Sequence, residues 1–283
     1  MKCMQCIIIW IVIFQLSQQE ALQNRIINGQ VASIEDYPYQ VLVVLRGNSI
    51  SDWNSCGGSI ISKNYILTAG HCVTKQSNNK RTWDHVPAEV LYIFKGYSSL
   101  SKVPIQSVIQ PRKIILHPGY NVHHIPGPNG TWLSEHLVND IALLYLKNPL
   151  TFSKTINKIR LASQDEPDSS FCGKTAVVTG FGLTFHDKAT EYLHAVNVTL
   201  PAVNKCESGF ICVSYGIPPR GSCRGDSGGP VAINGKQYGI VSSGAYRPEF
   251  SKMYCEDFKS AYYVNIIYYR KWISENSDVD EEN

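Results

Sequence analysis

Three short segments of this 283-residue chain carry side chains suited to acyl transfer by a hydroxyl group. Thr68-Ala69-Gly70-His71-Cys72 sets a histidine directly after an apolar run, beside a cysteine that can pin it. Asn139-Asp140-Ile141-Ala142-Leu143-Leu144 sets an aspartate at the head of another apolar run. Gly225-Asp226-Ser227-Gly228-Gly229-Pro230 sets a serine on a tight loop whose glycines leave backbone N–H groups free to face a ligand. A serine hydroxyl attacks a carbonyl only when a base takes its proton, a carboxylate orients that base, and two donors meet the developing oxyanion. Each segment alone has an ordinary reading as a surface histidine, a turn-forming aspartate or a glycine turn. All three together, in the order His, Asp, Ser, form a far more specific signal.

The elements that must hold these residues are short strands. Tyr39 to Leu45, Ser59 to Ile61, Tyr65 to Thr68, Ile141 to Leu146, Ala176 to Thr179, Ala195 to Leu200 and Tyr238 to Ser242 are apolar or alternating runs broken by Gly, Pro, Asn and Ser. Many short strands with turn signals between them predict an all-β barrel or sandwich. One helical pattern, Val264, Ile267, Tyr268 and Lys271 with Trp272 and Ile273, predicts a terminal helix. The acidic tail over residues 276–283 is poor in apolar side chains and is expected to be disordered. Gln76 to His85 and His117 to Glu135 read as long loops, and there is no internal repeat. Asn129-Gly130-Thr131 and Asn197-Val198-Thr199 are glycosylation acceptors, with Asn129 the better placed because a strand position can face the core.

The first residues set the compartment. Lys2 precedes the apolar run Ile7 to Phe14, which is too short to span a bilayer and is followed by polar residues. Residues 1–21 therefore read as a signal peptide, and the expected localisation is secreted, extracellular. Of nine cysteines, Cys3 and Cys6 fall in that leader. The remaining seven read as disulfides with one left over, since no Cys-x-x-Cys pair among them suggests zinc. A formal net charge of +3 is too small to indicate nucleic acid or a membrane surface as partner.

The three segments resemble the trypsin/chymotrypsin family of serine endopeptidases, and the resemblance runs over residues 26–275. It implies two six-stranded antiparallel Greek-key β-barrels, over about 26–147 and 148–275, with a short C-terminal helix. It implies His71 as general base, Asp140 as its orienting carboxylate, Ser227 as nucleophile, and the Gly225 and Ser227 N–H groups as the oxyanion hole. Arg25-Ile26-Ile27-Asn28-Gly29 resembles the family's activation site, so residues 22–25 would be a short propeptide. Cleavage after Arg25 would free the Ile26 ammonium to pair with the Asp226 carboxylate. That role would also remove Asp226 from Arg224-Gly225-Asp226, a tripeptide that otherwise suggests integrin binding. The implied disulfides are Cys56–Cys72, Cys206–Cys212 and Cys223–Cys255. Cys172 is then a free thiol, an interchain partner, or a replacement within the Cys206/Cys212 pair.

Specificity in such an enzyme rests on a pocket floor six residues before the nucleophile, here Gly221, with walls at Gly244 and Ala261. No carboxylate at the floor means no counter-charge for Lys or Arg. An uncharged slot favours Phe, Tyr, Leu or Met, with small residues as the alternative because Ala261 adds a methyl. Ser243 stands where the family usually has tryptophan, Tyr246 to Lys259 looks like an enlarged loop, and Arg224 is either a rim cation favouring acidic residues or a solvated surface group. His123, His124 and His136 are expected to be loop histidines, so no metal and no cofactor is anticipated. The expected partners of a monomer are protein or peptide substrates, an activating protease and protein protease inhibitors. A catalytically silent, protease-like binding protein is the competing reading. An α/β esterase is disfavoured by the missing β–α alternation.

Overall fold

The computed structural model describes residues 26–47, 54–76, 83–126, 132–184, 187–246 and 254–280. Arg25, the leader and the Asn129 acceptor lie outside them. Strand Gln40–Leu45 shows how the apolar runs are used. Val41 and Val43 enter the main core, while Leu42 and Val44 on its other face pack with Phe181 and Leu193. Alternation in space does not require alternation in hydrophobicity when both faces are covered.

The first sheet has six antiparallel strands in the order Leu91–Lys95, Gln40–Leu45, Asn54–Ile60, Tyr65–Thr68, Ala142–Leu146, Pro111–Leu116. A bridge between Ile93 and Ile109 brings its two edges together. The second sheet runs His194–Thr199, Thr175–Gly180, Pro230–Ile233, Lys236–Tyr246, Phe258–Asn265, Phe210–Ser214. Strand Gln30–Val31 adds to its edge, so the first strand among the described residues belongs to the second sheet. The predicted all-β fold of two curled, barrel-like sheets and one short C-terminal helix is the fold observed. Polar side chains stitch the sheets: the Thr179 hydroxyl donates to Gln40 Oε1 at 2.6 Å, and the Ser59 hydroxyl to Gln237 Oε1 at 2.7 Å. Both pairs are buried, where an unmet polar group would be costly.

Three expectations need correction. Parts of both predicted loops are β-ribbons: Thr74–Gln76 pairs with Trp83–His85, and Asn121–Pro126 with Trp132–Val138. Cross-strand hydrogen bonds satisfy their backbones despite a polar composition. Val264 lies within strand Phe258–Asn265 rather than opening the helix. The helix, Ile266–Asn276, starts after Asn265, whose side chain accepts from the Ile267 N–H. It buries Ile266, Tyr269, Arg270 and Ile273, leaving Tyr268 exposed. Nor is the tail free through Asp280. Val279 is buried, Asp278 accepts from Asn64 Nδ2 at 2.7 Å, and Arg270 donates to the Asp280 carbonyl.

Candidate active site

Two strand registers assemble the site. Thr68 lies opposite Ala142, so His71, three residues after one strand residue, meets Asp140, two residues before the other. Pro230 lies opposite Ile240, so Ser227 and Ser242 meet by the same arithmetic. Each register pairs residues that neither strand could bring together alone.

His71 sits in the 3₁₀ turn Gly70–Val73, anchored through the Cys56–Cys72 disulfide to strand Asn54–Ile60. Asn139 adopts φ +50°, a left-handed conformation asparagine accepts more readily than most residues. This turns Asp140 inward, where it is fully buried. Its Oδ2 lies 2.8 Å from His71 Nδ1 and accepts from the Ser242 hydroxyl at 2.6 Å. Its Oδ1 accepts from the His71 backbone N–H at 2.8 Å. Burial alone would raise the Asp140 pKa. The His71 charge and hydrogen bond, the Ser242 hydroxyl and the His71 N–H outweigh it and hold the carboxyl below its ordinary range.

The Ser227 hydroxyl faces the Ser242 carbonyl at 3.4 Å, and the Gly57 N–H donates to the Ser227 carbonyl at 2.7 Å. Gly228 has φ +83°, and a Cβ there would lie 2.2 Å from Thr68 Oγ1 and 2.5 Å from the Gly57 carbonyl. Only glycine lets this loop approach the first sheet so closely. The N–H groups of Asp226, Gly228 and Gly229 donate within the protein, whereas among the described residues those of Gly225 and Ser227 have no acceptor.

Asp226 is fully buried, and its carboxylate accepts from Gly182 N–H at 2.8 Å and Cys223 N–H at 2.9 Å. Burial pushes its pKa up to about 7 against the lowering effect of those bonds. Such a group cannot be presented to a receptor. Ile26 is also fully buried, and Ile27 bridges Gly221, whose N–H donates to the Ile27 carbonyl at 3.4 Å. The Asn28 side chain donates to the Pro219 carbonyl at 2.7 Å.

Of the pocket residues, Gly244 and Ala261 are cross-strand partners. A Cβ on Gly244 would meet the Phe258 ring at 3.0 Å, and one on Gly221 would meet the Tyr215 ring at 2.4 Å. Arg224 is half exposed, in keeping with a surface arginine, and forms an ion pair with Asp187 at 2.6 Å. Beyond Ser243 and Gly244 opens a cavity of about 350 Å³, lined among others by Leu137, Glu207, Phe210 and Tyr262. Cys206 bonds Cys212, Cys223 bonds Cys255, and Cys172 is a free thiol. The His123 and His136 rings stack, and His136 Nε2 lies 3.2 Å from Glu207 Oε2; nothing is described for the His124 side chain.

The His71, Asp140 and Ser227 segments stand out in the sequence, whereas the residues that support them here do not. Ser242 touches both Asp140 and Ser227, and Gly57 holds the serine loop, yet a serine or glycine in a strand gives no local signal of such a role. Tyr215, Phe258 and Asp187 likewise matter through what they contact, which a linear pattern does not display.

A family model described as Trypsin matches residues 26–273. The chain is 30% identical over 264 residues to a chymotrypsin of Phaedon cochleariae, covering 90% of this chain and 83% of that protein. It is 30% identical over 269 residues to trypsin delta of Drosophila melanogaster, covering 90% of each. The solved structure of HL collagenase superposes with a TM-score of 0.68 at 26% identity, covering 90% of this chain and 100% of that one. An inactivated protease paralogue of the scabies mite superposes at 0.63 with 21% identity, a likeness of fold alone, covering 89% and 98%.

Proposed function

The chain belongs to the trypsin family and is a serine endopeptidase, and we propose that His71, Asp140 and Ser227 are the triad through which it hydrolyses peptide bonds. In this reading His71 takes the Ser227 proton as the oxygen attacks the scissile carbonyl. The oxyanion is met by the Gly225 and Ser227 N–H groups, which have no acceptor among the described residues. His71 then protonates the leaving amine, and water repeats the sequence to release the acyl group. The observation that carries the reading is the buried Asp140, bonded at once to His71 and to Ser242, whose carbonyl faces Ser227. It favours catalysis over a silent binding protein, which has no need of an ionised buried carboxylate.

The enzyme is proposed to be a secreted zymogen, with residues 1–21 as its leader, activated by cleavage after Arg25. Two features support this. Asp226 is a buried carboxyl without a facing cation among the described residues, and a freed Ile26 ammonium would supply one. Ile26 also has φ +41°, strained for a β-branched residue, and cutting the preceding bond removes that constraint. Asn197 and Thr199 are both exposed, so the strand acceptor suits glycosylation as well as Asn129.

Gly221 leaves the primary slot uncharged, which disfavours Lys and Arg. Sequence alone leans to Phe, Tyr, Leu or Met; the rings of Tyr215 and Phe258 against Gly221 and Gly244 favour the alternative of small residues. The test of the triad is an active-site phosphonate on the Arg25-cleaved protein. Covalent labelling of Ser227, lost in Ser227→Ala, is expected. A folded, cleaved sample that takes no label overturns the reading.

A further inference from the structure

Gly221, Gly244 and Ala261 are the residues assigned to the primary slot, and two aromatic rings of the chain lie against the first two of them. Two carbons of the Tyr215 ring stand 2.4 Å from where a Cβ on Gly221 would be, so the ring covers the slot floor. Three carbons of the Phe258 ring stand 3.0–3.2 Å from the corresponding point on Gly244, so that ring covers the wall. The rings meet edge to face with centroids 5.7 Å apart, and Tyr215 and Phe258 are 2% and 8% exposed. Ala261, the third slot residue, is fully buried.

Both rings are held rather than hanging free. The Tyr215 hydroxyl donates to the Ser222 carbonyl at 2.5 Å, fixing the ring beside the residue next to Gly221. Phe258 opens a strand, and its backbone N–H donates to the carbonyl of Cys255, which is disulfide-bonded to Cys223. Close-packed interiors do not admit a second ring where one already lies.

We propose that Tyr215 and Phe258 are specificity-determining residues that plug the primary slot and restrict the residue before the scissile bond to Gly, Ala or Ser. The proposal rests on the triad reading above, since the slot matters only if Ser227 is the nucleophile. It also accounts for Gly221: any larger residue at the floor collides with Tyr215, so the missing carboxylate follows from the plug.

The experiment separates the two readings. Arg25-cleaved enzyme is first titrated with a small serine-directed fluorophosphonate, so that absent labelling counts against the triad and not against the plug. Titrated enzyme is then assayed on one peptide scaffold carrying Ala, Leu, Phe or Lys before the scissile bond. The expected kcat/KM for Ala exceeds that for Phe by about 100-fold, and Phe258→Gly moves the Phe/Ala ratio upward by a similar factor. Phe258→Val, which keeps a strand-forming residue, serves if the glycine variant does not fold and should raise the Leu/Ala ratio. Wild-type enzyme that cleaves after Phe or Leu as well as after Ala overturns the proposal. So does a ratio unmoved by shortening residue 258 in a sample that still titrates.

Discussion

At the scale of single residues, Asp140 does more than balance a charge. Its two oxygens accept from the His71 backbone and from Ser242 and face the His71 ring, so imidazole tautomer and orientation are set together. Asp140→Asn is expected to lower kcat about 10⁴-fold with little change in KM, as a triad whose histidine is held in the wrong tautomer does. Ser242→Ala removes a hydrogen bond to a charged group and is expected to cost about 10- to 100-fold in kcat. Steady-state kinetics on titrated, Arg25-cleaved protein measures both, and an unchanged kcat in either variant contradicts the assigned roles. Gly221 makes a different point. Adding a carboxylate at a slot floor should create cleavage after Lys or Arg, but Gly221→Asp would force a Cβ into the Tyr215 ring. The expected result is a loss of about 1–3 kcal/mol in urea unfolding and no tryptic activity.

At the scale of elements, the site is a product of register. A one-residue slip between Tyr65–Thr68 and Ala142–Leu146 would exchange the two faces of these buried strands, spoil their packing and carry His71 away from Asp140. Strand Lys236–Tyr246 has a second task, since Ser243, Gly244 and Ala245 form one side of the 350 Å³ cavity beside the slot. If the slot is plugged as proposed, this cavity offers open volume beside the second sheet. Ser243→Trp would fill much of it. The expected outcome is a kcat/KM about tenfold lower for peptides with a bulky residue two to four places before the scissile bond. Labelling of Ser227 by a small phosphonate should be unaffected, and equal losses on all peptides would place the effect elsewhere.

At the scale of the whole molecule, stability should respond to pH differently before and after activation. The Asp226 pKa is raised from 3.8 to about 7 by burial, so its neutral form is favoured by folding. That contribution is full below the unfolded value and is lost as pH rises through about 7. Asp140 has the opposite sign, since its lowered pKa stabilises the fold at neutral pH and fails only on acidification. Between pH 5 and 8 the Asp226 effect stands alone of the two. An uncleavable Arg25→Gln chain is expected to melt at a lower temperature at pH 8 than at pH 5, and the Arg25-cleaved chain is not. Adding Asp226→Asn to the uncleavable chain should abolish the difference. A fall of equal size in both forms would argue against an Ile26–Asp226 pair.

The sequence alone was enough for the class of fold and for the family to which the chain belongs. Strand formation, turn residues and the chemistry of a nucleophile depend on side-chain identity and near neighbours, which a linear pattern displays. The start of the helix, the ribbons and the packed tail were misread: Asn265 caps the helix one residue after Val264, the ribbons pair polar segments close in sequence, and the tail is held by Asn64 far along the chain. Tertiary structure decided what lies against what: Ser242 beneath Asp140, Asp187 on Arg224, and the Tyr215 and Phe258 rings against Gly221 and Gly244. Those contacts join residues 37 to 102 positions apart, or set a ring against a glycine, and spacing carries no record of them. The family's chemistry was therefore legible in the residues, while the packing of two aromatic rings against Gly221 and Gly244 is a product of the tertiary structure.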